Sequence, residues 1–401
     1  MMAHILSLIA AICILIPKTA YSTAQQEDRT TFNLRKSYSE SDVSVEVSGP
    51  EKVRDHIFRE TAAGLVTRFD LTKKDRAPPN HHHEVIFVVQ QQNLEELTRI
   101  LHDISDPDSD NYGQHKSREM IEELTSNPTS REVIRTYLHR VGAIVTTESV
   151  FGEYITARAP ITLWENLFDT EFFTFRHTIN GTARVTEVMR AEKYSVPKDL
   201  HEHVASVFHT VQMPLAIWGR PFMQPMENYT SHIQHNAVTG VVTPSLLNYQ
   251  YNINSNTGSS KSSQAVFESI GQYFSPNDLK SFQQYYGLPD QPISRFVGGH
   301  VSDSICATSA ETCLEANLDV QYMMAVCQNS PTTHWYTDAN SFTNWLLEVA
   351  NDANPPLVLS ISYGASEVTV SNSELDAFNI QAMKLGLMGV TVLAASGGKV
   401  I

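Results

Sequence analysis

The chain has 401 residues, 41% of them hydrophobic and 18% charged, and carries a formal charge of −15. This is the composition of an ordinary globular protein with room for about two or three domains, neither disordered nor membrane-embedded. The acidic balance argues against nucleic acid or an anionic membrane surface as the main partner.

The first element is an apolar run, ILSLIAAICILI at 5–16, with small residues following at Ala20, Ser22 and Ala24. It is too short to cross a bilayer and reads as a secretory signal peptide over 1–24, with His4 in place of the usual Lys or Arg. No later stretch reaches the ~18 apolar residues of a membrane span, so none is expected. An oxidising compartment would let Cys306 and Cys313 close a short loop. Cys327 is then either a buried thiol or a residue whose partner lies elsewhere. The sequons at Asn180 (NGT) and Asn228 (NYT) fit a glycosylated lumenal protein.

Residues 25–83 are polar and end in RAPPNHHH; His81–His83 reads as a solvated linker rather than a metal site, since three adjacent side chains cannot all face one ion. A compact pattern follows over 84–190. EVIFVVQ (84–90) is a buried strand, and Asn93 with Glu96 forms a capping-box pattern opening a helix with Leu94, Leu97, Leu101 and Ile104 on one face. A second such pattern, Thr129 to Glu132, opens a helix that Gly142 stops. Strands at 143–149 and 152–158, a helix near 161–169 and strands at 171–177 and 183–189 complete an expected α+β sandwich of ferredoxin-like type. Periodicity then fails over 191–240, where prolines and a sequon predict an exposed, cleavable linker. From 241 to 401, apolar strands (264–270, 355–364, 389–398) alternate with amphipathic helices, which predicts a parallel α/β sheet.

One helix in that last part raises a chemical question. ETCLEANLDVQYMM (311–324) places Glu315 and Asp319 one turn apart, a like-charge pair that costs an isolated helix a few tenths of a kcal/mol. If Asn317 and Gln321 face water, both carboxylates point inward and titrate as a coupled pair with at least one pKa raised. The alternative is a solvated acidic face.

The ordered motifs SDPDSDNYGQHKSREM, VTPSLLNYQYNI, EANLDVQYM, VLSISYGASE and GVTVLAASG resemble those of the sedolisins, the serine-carboxyl peptidases, from about residue 84 to 398. The resemblance implies a secreted or lysosomal proenzyme: a prodomain over 84–190 that acts on its own catalytic domain, a linker cleaved in acid over 191–240, and a subtilisin-like α/β catalytic domain from 241, incomplete at its C-terminus. Glu315 matches the general base and Asp319 the carboxylate that orients it. Ser362, Tyr363 and Gly364 match the segment that pairs with the backbone of a peptide or protein substrate. Gly398 stands where the family has the Asp of the oxyanion hole, and no Ser of this chain matches the nucleophile motif. No cofactor is expected in this chain; the family's calcium site lies in a C-terminal region that these residues do not include. Two functions follow: an acid-acting serine-type peptidase of which this chain is inactive as written, or a non-catalytic secreted form whose prodomain is a binding or inhibitory module.

Overall fold

The computed structural model describes residues 55–62, 68–178, 185–215, 242–256, 258–259, 261–337 and 341–395. Their contacts separate two compact units: 55–214 with Glu367–Lys384, and Leu215–Ser366 with 385–395.

The first unit opens with β1 (His56–Thr61), β2 (Leu71–Arg76) and β3 (His82–Val89), then α1 (Leu94–Ser105), α2 (Arg118–Thr125) and α3 (Pro128–Arg140). It continues through β4 (Ile144–Glu148), β5 (Tyr154–Pro160), α4 (Ile161–Phe168), β6 (Phe172–Thr178), β7 (Val185–Ala191), β8 (Lys193–Pro197), α5 (Lys198–His201) and β9 (Val204–Phe208). An antiparallel sheet runs β4-β5-β3-β9; β2-β6-β7 form a second and β1-β8 a third. Val85, Phe87 and Val89 project at the strand period of two into a core shared with Ile134 and Leu138 of α3 and Trp164 and Phe168 of α4. The Trp164 and Phe168 rings stack, and both lie against Phe87.

Several expectations change here. The strands read at 171–177 and 183–189 pair with each other and with β2, not with β3. The place beside β3 goes to β9, from the stretch read as an exposed linker; Val204, Val207, Val211 and Met213 are buried. That stretch is ordered through Leu215, and the rest of 191–240 lies outside the described residues. Residues 25–83 are not uniformly solvated either: β1 and β2 are paired strands, and His82 and His83 open β3.

Neither capping box forms. Asn93 takes a left-handed conformation (φ 54°) and donates through Nδ2 to Leu124 O, while Glu96 pairs with Arg99. At α3 the cap is Asn127, whose Oδ1 accepts from Ser130 N, with Pro128 in the first turn where its missing N–H costs nothing. Gly142 does end that helix, at φ 81°.

The second unit contains α6 (Pro244–Gln250), β10 (Gln264–Glu268), α7 (Pro276–Tyr286), β11 (Arg295–Val297), α8 (Asp303–Thr308), α9 (Leu314–Val326), β12 (Thr332–Tyr336), α10 (Phe342–Asn351) and β13 (Val358–Ile361). After α11 (Asn372–Leu387), β14 (Thr391–Ala394) returns to it. The five strands are parallel in the order β11-β12-β10-β13-β14. Such a sheet needs apolar strands, and Ala265, Val266 and Phe267 are almost fully buried.

Helix α11 joins the first unit over most of its length and does so with its polar face. Glu374, Ala377, Gln381 and Lys384 are buried at helical spacing, whereas the apolar stripe Leu375, Phe378 and Ala382 is half-buried. Lys384 Nζ lies 3.2 Å from Glu153 Oε1, with both side chains almost fully enclosed.

Candidate active site

Helix α9 starts at the end of a constrained loop. Cys306 and Cys313 form a disulfide, and Cys313 is the residue before the first turn. Gln272 Oε1 accepts from Glu315 N at 3.1 Å, satisfying one of the donors that a helix start leaves open. Four residues on, Asp319 is buried at 2% exposure. Both carboxylates therefore point inward and the solvated alternative falls away. Asn317, on the other side of the helix, is half-buried and bonded to its neighbours. Its Oδ1 accepts from Ser275 N and its Nδ2 donates to Asp278 Oδ2, tying α9 to α7.

A third carboxyl joins them. Glu268, fully buried at the C-terminal end of β10, accepts from Tyr363 Oη at 2.8 Å. The spacing argument found Glu315 and Asp319 but not Glu268, which sits far away in sequence. The available signal is a lone acidic residue closing the apolar strand QAVFE. Burial pushes all three carboxyls above their ordinary range. Glu268 is raised further by Asp319 and Glu315, and Glu315 by Asp319. Opposing this, Tyr363 donates to Glu268 and Ser362 to Asp319. Glu268 Oε1, Glu315 Oε2 and Asp319 Oδ2 have no hydrogen-bond partner among the described residues. The three carboxyls are thus coupled electrostatically, and Glu315 keeps an open acceptor oxygen. A hydroxyl donating there would lower its pKa and meet a base of more than ordinary carboxylate strength.

The expected substrate segment divides by side chain. Strand β13 is bonded on both sides, to β10 and β14, so its own backbone is not a free edge. Both pairings end at Ile361, and the segment continues beyond them. There Ser362 turns to Asp319, the buried Tyr363 side chain turns to Glu268, and Gly364 has no atom within 4 Å of where a Cβ would sit. Gly398, Asn180 and Asn228 lie outside the described residues. The sulfur of Cys327 lies 3.3 Å from Ser330 Oγ.

Residues 70–213 match the family model of the pro-kumamolisin activation domain, and the expected prodomain span of 84–190 falls inside that match. Tripeptidyl-peptidase 1 of Homo sapiens is 28% identical over 342 residues, covering 80% of this chain and 57% of the relative. The Macaca fascicularis protein matches to the same extent, and that of Mus musculus is 26% identical over 341 residues. The chain thus resembles tripeptidyl-peptidase 1 and carries a match to the sedolisin-type activation domain. It spans 57% of the length of these relatives. The activation-domain match lies within the first unit, and Glu315 and Asp319 lie in the second. No helix among the described residues is long and apolar enough to cross a membrane.

Proposed function

We propose that the chain is part of the proenzyme of an acid-acting serine-type peptidase, with Glu315 as general base and Asp319 as the carboxylate that orients it. The observation that carries this reading is the buried trio Glu268, Glu315 and Asp319, beside the C-terminal end of a parallel strand. Burying three carboxyls side by side costs stability even when they are protonated, which marks the cluster as a candidate functional site. The strand order β4-β5-β3-β9 supports a ferredoxin-like activation domain, and the parallel sheet supports a subtilisin-like one. Backbone groups of Ser362–Gly364 pair with the peptide substrate. The route is secretory, ending in a lysosomal or extracellular compartment, with a signal peptide over 1–24, glycans at Asn180 and Asn228, and calcium bound by a region outside 1–401.

No serine of 1–401 is assigned as the nucleophile, so residues 1–401 alone are expected to release no fluorophore from tripeptide or internally quenched substrates between about pH 3 and 7. A chimera joining them to the C-terminal part of human tripeptidyl-peptidase 1, with Gly398→Asp, gains activity in acid. Glu315→Gln abolishes it, because an amide cannot take the serine proton; Asp319→Asn leaves a weak remnant. Turnover by 1–401 alone, or an active Glu315→Gln chimera, overturns the assignment.

A further inference from the structure

The segment His209–Pro214 closes the first unit, and side chains hold three of its carbonyls. His83 Nε2 donates to His209 O at 2.9 Å, Arg190 Nε donates to Gln212 O at 2.6 Å, and Arg68 Nη1 donates to Pro214 O. His209, itself at φ 64°, donates back through Nδ1 to Glu84 O at 3.2 Å. The two imidazoles thus fasten β3 and this segment to each other reciprocally. Each ring uses one N–H and is neutral in this arrangement.

Burial and the neighbouring cations oppose a positive charge on either ring. Arg190 and His81 act against a charge on His83, whose ring meets Phe172 edge-on, and Arg190 and His83 act against one on His209; the carbonyls of His209 and Glu84 oppose this more weakly. Among the charged groups acting on the two imidazoles there is no carboxylate. Glu374 acts on Arg190, and Glu60 meets the segment through Gln212 Nε2. Arg68 is fixed by Asp70 at 3.0 and 2.5 Å, and Asp70 also accepts a hydrogen bond from Nε2 of the buried His177 at 3.1 Å.

We propose that His209–Pro214 is a proton-released strap, held against β3 while His83 and His209 are neutral and detached when acid places two further positive charges beside Arg190. Protonation leaves each N–H donor in place, so the release comes from repulsion and burial of charge, not from a lost hydrogen bond. Burial, then Arg190, bring His83 down to about 4 and His209 to about 3. A depressed imidazole binds its proton better in the detached state. The strap's stability is therefore full above the ordinary imidazole value of 6.5 and is lost as pH falls toward those lower values. As residues, His83 and His209 are half-buried, not fully enclosed. The strap belongs to the activation domain alone and does not depend on whether Glu315 catalyses anything.

The test is hydrogen exchange on the 401-residue chain, read at peptides covering 204–215 and, as a control, 154–160, and corrected for the intrinsic effect of pH. From pH 7 to 4, protection over 204–215 should fall by about tenfold or more relative to the control, the change that one unit of differential protonation produces. The pair His83→Gln and His209→Asn keeps a neutral donor at each position, and Asn tolerates the left-handed backbone at 209. It should remove at least half of the fall. A smaller reduction, or a wild-type strap that stays protected, overturns the proposal. If the double variant does not fold, imidazole titration of the wild-type chain by NMR decides: values clearly below 6 support the strap, and ordinary values reject it.

Discussion

Tyr363 Oη donates a 2.8 Å hydrogen bond to Glu268 Oε2, joining the second residue past β13 to the last residue of β10, whose carboxyl is coupled to Glu315 and Asp319. This donor favours the ionised form of a carboxyl that burial and two neighbours hold protonated. With that carboxyl protonated, Tyr363→Phe should destabilise the chain to a similar extent at neutral pH and in acid, by leaving a buried carboxyl without its partner. The expected loss is about 1–3 kcal/mol, the cost of leaving a buried polar group unsatisfied. Urea titrations at pH 7.5 and 4 measure it.

The three carboxyls all have folded pKa values above their unfolded ones, 4.5 for Glu and 3.8 for Asp. Their contribution to stability is then complete below about pH 4 and is lost as pH rises through the folded values. Glu268→Gln removes one member of the cluster and keeps an acceptor for Tyr363. Denaturation midpoints of the second unit's transition should rise at pH 7.5 and stay nearly unchanged at pH 4. A midpoint that falls at pH 7.5 would show that the charge on Glu268 is compensated.

Glu153 and Lys384 form an enclosed ion pair, with Ser149 Oγ and Gln381 Nε2 also on the Glu153 carboxyl and Lys384 Nζ 5.0 Å from the centre of the Phe151 ring. Lys384→Met should cost about 3–5 kcal/mol, because it strands a buried carboxylate. Adding Glu153→Gln should recover most of that loss, since what hurts is the orphaned charge and not the missing attraction. Thermal melts of the two variants separate these contributions.

The Cys306–Cys313 bridge closes a loop of seven residues in sequence separation immediately before α9. Replacing both by Ser should lower stability by about 2 kcal/mol, with less effect than a long-loop bridge would have. A reducing agent should reproduce the shift in the wild-type chain and leave the double variant unaffected.

Periodicity and spacing made some of this legible and not the rest. The Glu315–Asp319 spacing pointed inward because a helix turn places i and i+4 on one side, and that geometry survives folding. Glu268 was hidden because its neighbours come from α9 and from the second residue after β13, a grouping that sheet order alone creates. Strands β8 and β9 escaped notice because Pro197 and the polar residues between them break the apolar rhythm, while pairing with β1 and β3 supplies the order. At Asn93 the side chain found Leu124 O, so a capping pattern that is real in isolation lost to a tertiary partner.

The position of β9 carries a consequence for how the activation domain is made. Val88 pairs with Ser206, roughly 120 residues apart, and α1 through β8 all intervene. The chain must close that long loop before β3 gains its second neighbour, so the ribosome has to release almost the whole domain before its central sheet can finish. Until then one flank of β3 is bare to any other nascent strand, and this domain should mature slowly and lean on chaperones while it waits.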